Sequence, residues 1–209
     1  MIQVVIFDCD GVMFDTIKAN TAYYNHLLAH FDHPEMTPVQ FEYIHMHTVA
    51  KSLAFLFEDE NSIRAVDAYR VSVGYEPYYD LMEIEPDLRS LLKIIRSRFK
   101  VGIATNRSDT IGRILEVHGL EDDFEVVVSA LDVPHPKPHP DPLLKVTEYF
   151  NIKPHQAVYI GDSTLDEQAA RAAGMPIVAY RNRSLAADAH IDHLMEMVAL
   201  LESGKLFVS

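Results

Sequence analysis

The stretch Val4-Val5-Ile6-Phe7-Asp8-Cys9-Asp10-Gly11 constrains this chain more than any other. Four consecutive apolar residues end abruptly in acid and then glycine. Such a run predicts a strand buried on both faces, the kind found inside a parallel sheet. Alternation along a strand sends Asp8 and Asp10 to one side and Cys9 to the other. Gly11 lets the backbone turn. Open α/β sheets bind their ligands at the carboxyl ends of central strands, where these two carboxylates would lie. An ordinary strand-ending turn can also read D-x-D-G. Two like charges at a half-buried strand end, however, need a cation, a shared proton or a basic partner. The remainder of the chain has to supply it.

After Asp15-Thr16 the pattern turns helical. Thr16 is a candidate N-cap for a helix with Ile17, Tyr24, Leu28 and Phe31 on one stripe. Thr37-Pro38-Val39-Gln40 has capping-box spacing with proline at the first helical position, and predicts a helix through Phe41 and Ile44. Val49 to Phe57 and Ile63 to Val73 predict two more. From Pro86 onward strands and helices alternate. Leu88 to Phe99 is amphipathic through Leu88, Leu91, Leu92 and Ile95, and Val101 to Thr105 is a buried strand. Ser108 to His118 is a helix closed by Gly119, Phe124 to Val128 a strand, and Asp141-Pro142 opens a helix to Phe150. Ala157 to Gly161 is another buried strand. Thr164 and Glu167 are spaced as a capping box for a helix that stops at Gly174. Pro176 to Tyr180 reads as the last strand and Leu194 to Leu201 as the closing helix. The expected fold class is therefore α/β, a doubly wound parallel sheet with right-handed crossovers. A small all-helical domain, 16–81, interrupts an α/β core made of 1–15 and 82–209, with Phe14-Asp15-Thr16 as the hinge between them.

With 209 residues, 48% of them hydrophobic, the chain can bury a substantial core. Eighteen basic against thirty-one acidic residues leave a net charge of −13. This argues against nucleic acid or an anionic membrane as partner, though not against a small anion in a locally positive pocket. The single cysteine, Cys9, excludes an internal disulfide and a cysteine-based zinc cluster. Between two aspartates it reads as a small core residue. There is no apolar run of bilayer length and no signal-peptide pattern, so a cytoplasmic location is the expectation.

Three further stretches after strands carry residues suited to phosphate chemistry. Thr105-Asn106 offers a hydroxyl, an amide and backbone N–H groups ahead of a helix. Lys137 sits in Pro134-His135-Pro136-Lys137-Pro138-His139-Pro140, where prolines fix the backbone around it. Gly161-Asp162-Ser163-Thr164-Leu165-Asp166 puts two more carboxylates at a strand-to-helix junction. Taken singly, each has an ordinary reading as turn former, surface lysine or helix cap. Taken together, Asp8, Asp10, Thr105, Asn106, Lys137, Asp162 and Asp166 fall on one edge of one sheet. Clustered aspartates with a lysine suit a hard divalent cation, Mg²⁺ above others, and with it a phosphate.

These four stretches, in order and spacing across the whole chain, resemble the motifs of the haloacid dehalogenase-like superfamily. The branch is that of phosphoglycolate phosphatases and β-phosphoglucomutases, a Rossmann-like core with a helical cap domain. The resemblance implies Asp8 as nucleophile and Asp10 as acid and base. It implies Mg²⁺ held by Asp8, the main-chain carbonyl of Asp10 and Asp162, with Asp166 as further ligand or support. Thr105 and Asn106 would bind phosphate oxygens, and Lys137 would offset charge on nucleophile and phosphate. The function implied is a Mg²⁺-dependent phosphatase that hydrolyses a small phosphorylated metabolite through an aspartyl phosphate. A sugar-phosphate mutase is the alternative, with a non-enzymatic phosphate-binding module further behind. Mutases of the branch carry a histidine where this chain has Asn20, and Thr105-Asn106-Arg107 looks like the phosphatase form of its motif. His45, His47 and Lys51 lie where the branch's cap meets its substrate, although each also reads as a solvated helix residue. A monomer is expected, a homodimer being the alternative.

Overall fold

The computed structural model describes residues 1–204. In chain order, β1 (Val4–Phe7) and β2 (Phe14–Asp15) lead into α1 (Ile17–His30), α2 (Pro38–Met46), α3 (Val49–Leu56) and α4 (Glu60–Val73). A 3-10 helix (Glu76–Leu81) and β3 (Glu83–Ile84) follow. The alternating part contains α5 (Leu88–Ile95), β4 (Lys100–Ala104), α6 (Ile111–Val117), β5 (Val126–Val128), α7 (Asp141–Tyr149) and β6 (Ala157–Gly161). It closes with α8 (Thr164–Ala173), β7 (Ile177–Tyr180), β8 (Ala189–Ile191) and α9 (Glu196–Ser203). The chain divides into two compact units, Asp15–Glu83 and a second made of Met1–Phe14 with the chain from Ile84 onward.

The discontinuous unit is built on a six-stranded parallel sheet in the order β5-β4-β1-β6-β7-β8. Strand β1 is wholly buried and pairs with β4 on one side and β6 on the other, as its unbroken apolar run requires. Alternation separates its faces. Val4 and Ile6 join Tyr159, Leu143, Val146, Ala169 and Ala170 in one core cluster. From the other parity, Phe7 meets Phe124 edge to face at 6.1 Å. In α5 the residues Leu88, Leu91, Leu92 and Ile95 are all buried, the stripe their spacing predicts. No helix among the described residues is long and apolar enough to cross a membrane.

Several boundaries differ from the sequence expectation, each for a local reason. Helix α6 starts at Ile111 rather than Ser108. Upstream, the Arg107 N–H bonds to Thr105 Oγ1 and the Arg107 carbonyl accepts from the Ala130 N–H, so this backbone is used outside a helix. At α8 the N-cap is Ser163, paired with Asp166 in a capping box, one residue earlier than the Thr164–Glu167 spacing implied. Strand β8 lies beyond the Tyr180 end expected for the sheet. Its three residues, Ala-His-Ile, are too few and too mixed to stand out.

The helical unit has an aromatic core. Tyr23 meets Tyr24, Tyr75 and Tyr78 edge-on, with centroids 4.9 to 5.4 Å apart. Buried Asn20 donates to Thr16 Oγ1 at 3.2 Å and accepts from the Tyr75 hydroxyl at 2.7 Å. The expected stripe on α1 is only partly correct. Ile17 is exposed, and the buried face runs through Ala19, Asn20, Tyr23, Tyr24, Leu27 and Leu28. Thr16 makes no side-chain cap; Asp15 Oδ1 accepts from the Ile17 N–H at 3.0 Å instead. The capping box at Thr37 forms as the sequence predicts.

Candidate active site

Strand order explains why distant stretches meet. Strands β4, β1 and β6 are neighbours, so Thr105, Asp8 and Asp162, each directly beyond a strand, share the carboxyl edge of the sheet. Lys137 arrives from the loop between β5 and α7. Its ammonium group lies 2.8 Å from Asp8 Oδ1, 2.6 Å from Asp166 Oδ1 and 3.0 Å from the Tyr159 hydroxyl, and the residue is 2% exposed.

Asp166 is fully buried and fully engaged. Oδ1 accepts from Lys137 and from the Tyr159 hydroxyl at 2.8 Å. Oδ2 accepts from Ser163 Oγ at 2.5 Å and from the Ser163 and Asp162 N–H groups at 3.0 and 3.3 Å. Burial alone would raise its pKa. The Lys137 charge and the bonds from Lys137, Ser163 and Tyr159 hold it below the usual carboxylate range instead. Lys137 is likewise penalised by burial, yet Asp166 and Asp8 keep it above the ordinary lysine value. The Tyr159 phenol is pushed well up by burial and by the Asp166 and Asp8 charges, which leaves it a neutral donor.

The other two carboxylates behave oppositely. Burial pushes Asp8 up to about 7, the Lys137 charge offsetting only part of the cost while Asp166 adds to it. Asp162 is raised well above the normal range by burial and by the Asp166 and Asp8 charges. One oxygen from each of Asp8, Asp162 and Asp166 lies within 4.8 Å of the others. An all-oxygen donor set in which Asp8 and Asp162 resist ionisation beside each other and beside Asp166 fits a hard divalent cation. Two glycines make the space. A Cβ on Gly11 (φ +78°) would sit 2.1 Å from Asp162 Oδ2, and one on Gly161 would sit 2.4 Å from the Asp166 Cβ.

Asp10 stands beside this centre in a different contact. Arg107 grips its carboxylate with both arms of the guanidinium, Nε to Oδ2 at 2.8 Å and Nη2 to Oδ1 at 2.7 Å, while Nη1 bonds Thr110 Oγ1 at 3.1 Å. Both side chains of the pair are largely buried. Thr105 and Asn106 are buried at the same edge, and Asn106 Nδ2 donates to the Lys137 carbonyl at 3.1 Å. The thiol of Cys9 is buried and its pKa pushed well up by burial and by Asp10, as suits a packing residue.

Sequence reasoning missed the part played by Tyr159 and by the Arg107 clamp. A lone hydroxyl in an otherwise apolar strand was the available signal for Tyr159. The partner of Arg107 is 97 positions away, and no spacing rule reaches it. The expected cap residues lie in the helical unit. His45 stacks against Phe41, with Nδ1 buried and lacking a hydrogen-bond partner among the described residues. His47 caps α2, stacks on Tyr43 at 3.9 Å and contacts the Tyr43 carbonyl through Nδ1 at 2.8 Å. Lys51 is exposed in the first turn of α3.

Comparison with known proteins agrees with this geometry. Residues 5–180 match the family model for haloacid dehalogenase-like hydrolases. Phosphoglycolate phosphatase of Chromobacterium violaceum is 30% identical over 97% of this chain and 98% of its own. Pyrophosphatase PpaX of Bacillus pumilus is 30% identical over 83% of this chain and 80% of its own. The crystal structure of a subfamily IA hydrolase of the same superfamily from Geobacter sulfurreducens superposes with a TM-score of 0.79 at 35% identity, covering 96% of each chain.

Proposed function

The chain belongs to the haloacid dehalogenase-like hydrolase family, and on that premise we propose that it is a Mg²⁺-dependent phosphatase of small phosphate monoesters. The observation that carries the reading is the Lys137 ammonium held between Asp8 and Asp166, with Asp162 in the same carboxylate cluster, where the adjacent strands β1 and β6 end. An Asp8 oxygen attacks phosphorus, the bond to the leaving oxygen breaks, and Asp10 gives that oxygen a proton. Water then attacks phosphorus in the aspartyl phosphate and surrenders a proton to Asp10. The P–O bond to Asp8 breaks, releasing phosphate and regenerating both carboxyl groups. Arg107 fixes the plane and direction of the Asp10 carboxyl group, and for these transfers one Asp10 oxygen exchanges its arginine bond for the proton it gives and takes back. Thr105 and Asn106 bind phosphate oxygens, and Lys137 offsets charge on nucleophile and phosphate.

Mg²⁺ held by Asp8, Asp162 and the Asp10 main-chain carbonyl would supply the positive charge that keeps Asp8 ionised and neutralises the phosphate. With both its oxygens already engaged, Asp166 supports this site by holding Lys137 and the Asp162 backbone. The helical unit is read as a cap that selects substrate. Of its three candidate residues His45 is favoured, because its Nδ1 has no partner among the described residues. Asn20, where mutases of the branch carry histidine, is spent on Thr16 and Tyr75, which favours hydrolysis over phosphoryl return.

The test is a phosphate-release screen with Mg²⁺ over phosphorylated metabolites, beginning with phosphoglycolate and pyrophosphate, the compounds named in the two relatives. Release is expected with at least one compound, to be lost on chelation and in Asp8→Asn by about 10³-fold or more. Near-normal turnover by folded Asp8→Asn sinks the assignment.

A further inference from the structure

We propose that the loop bearing Lys137 carries a second metal site of a different kind, formed by His135, His139 and Asp141 on its outer side. The ion it would take is a divalent transition metal that prefers imidazole, such as Zn²⁺, Ni²⁺ or Cu²⁺.

His135 Nδ1 lies 3.0 Å from Asp141 Oδ2, and His139 Nδ1 lies 2.8 Å from Asp141 Oδ1. The two imidazoles lie with centroids 4.6 Å apart and planes tilted by 38°, and one donor atom from each of the three residues lies within 4.8 Å of the others. Donors around a tetrahedral ion with bonds of about 2.0–2.1 Å stand about 3.3 Å apart. Each histidine–Asp141 pair therefore needs to spread by only a few tenths of an ångström, and the two imidazole donors, within 4.8 Å of each other, need to approach by at most about 1.5 Å. Proline occupies positions 134, 136, 138, 140 and 142, and the His139 N–H bonds the Pro136 carbonyl at 3.0 Å. The backbone is thus largely set before any ion arrives, which lowers the cost of binding.

Donor chemistry separates this cluster from the buried centre. Two nitrogens and one carboxylate suit the later first-row ions, whereas the Asp8–Asp162–Asp166 set offers only hard oxygen. The histidine side chains are 65% and 49% exposed, so an ion has open access and water can complete its coordination. An ion at this place would tie 135 to 139 and 141 and so close the loop around Lys137. The catalytic meaning of that closure rests on the role proposed for Lys137; the binding itself does not.

The experiment titrates Ni²⁺ and Cu²⁺ into the full-length protein at neutral pH with Mg²⁺ in large excess, in wild type, His135→Ala, His139→Ala and Asp162→Asn. Wild type and Asp162→Asn are expected to bind one ion per chain, with electron paramagnetic resonance of the Cu²⁺ form reporting two coordinated nitrogens. Each histidine variant is expected to bind at least tenfold more weakly and to lose one nitrogen coupling. At a hundredfold excess over Kd, Ni²⁺ should raise the wild-type Tm by roughly 5 °C and leave the histidine variants unmoved. Because the replaced side chains are exposed, the variants keep their fold, which circular dichroism checks. Unchanged stoichiometry and nitrogen coupling in the histidine variants, or no binding by wild type, overturns the proposal. None of these readouts involves phosphate release, so the metal site and the phosphatase assignment fail separately.

Discussion

Four residues apart at one strand end, Asp162 and Asp166 meet opposite electrostatic fates. Asp166 lies on the side of Lys137, Tyr159 and Ser163, where five contacts satisfy its oxygens and hold its pKa down. Asp162 lies on the side of Asp8, where burial and like charge push both groups up. One half of the centre is satisfied by the protein's own groups; the other leaves two buried carboxylates repelling each other, a repulsion that the proposed cation would relieve. Burial by itself does not decide what a carboxylate does, since the fully buried member is the one that ionises most readily. What decides is how many donors the local backbone and the opposing lysine bring to it.

The sharpest way to break this contrast is to empty the satisfied half. Lys137→Ala leaves Asp166 buried without its counter-charge and is expected to cost about 3–5 kcal/mol in urea unfolding. A loss below 1 kcal/mol would mean that Lys137 is not what holds Asp166 ionised. Arg107→Ala tests the neighbouring pair at Asp10. It is expected to lower kcat about 10²-fold with KM little changed, and Arg107→Lys should recover only part, since an ammonium cannot grip both oxygens. A change confined to KM would assign Arg107 to substrate binding instead.

The unsatisfied half is tested by pH. The Asp8 carboxyl rises from 3.8 in the unfolded chain to about 7 when folded, so between those values the folded protein holds more protons. Stability of the metal-free protein should therefore fall as pH rises through that window. Mg²⁺ should reverse the fall, with a larger gain in Tm at pH 8 than at pH 5, where protons compete for the same oxygens. A metal-free protein that grows more stable from pH 5 to 7 would contradict the assignment. The smallest effect is expected from Tyr159→Phe, about 1 kcal/mol, since Asp166 keeps its other donors and only one hydroxyl is lost.

The frame of this site was legible in the sequence because it depends on local texture. Apolar runs ending in acid at Asp8 and Asp162 mark buried strands, and the sheet order then brings their ends together without further instruction. The start and buried stripe of α5 and the capping box at Thr37 were legible for the same reason, spacing within a few residues, whereas α5 ends at Ile95, four residues short of the expected Phe99. What stayed hidden depends on partners far away in the chain. Arg107 looks like any surface arginine until Asp10, 97 positions earlier, comes to its fork. The one-residue shift of the α8 cap from Thr164 to Ser163 had a comparable cause, since Asp166 is drawn into the capping box by the same geometry that presents it to Lys137. In the helical unit, periodicity found the helices but not the tyrosine core, because those contacts join α1 to the 3-10 helix near its far end.

The interruption of the α/β unit also has a consequence in time. Strand β1, which delivers Asp8, is made before either strand it pairs with. Its neighbours β4 and β6 begin only at Lys100 and Ala157. At about 5–20 residues per second, roughly 8–30 s of translation separate the synthesis of β1 from that of its second partner. Throughout that interval the most apolar strand of the molecule has an open edge, while the intervening helical unit, whose contacts are all nearer in sequence, has everything it needs to fold. Of the inner strands, the one that bears Asp8 waits longest for both its partners, and a chain that stops before Ala157 keeps that edge exposed.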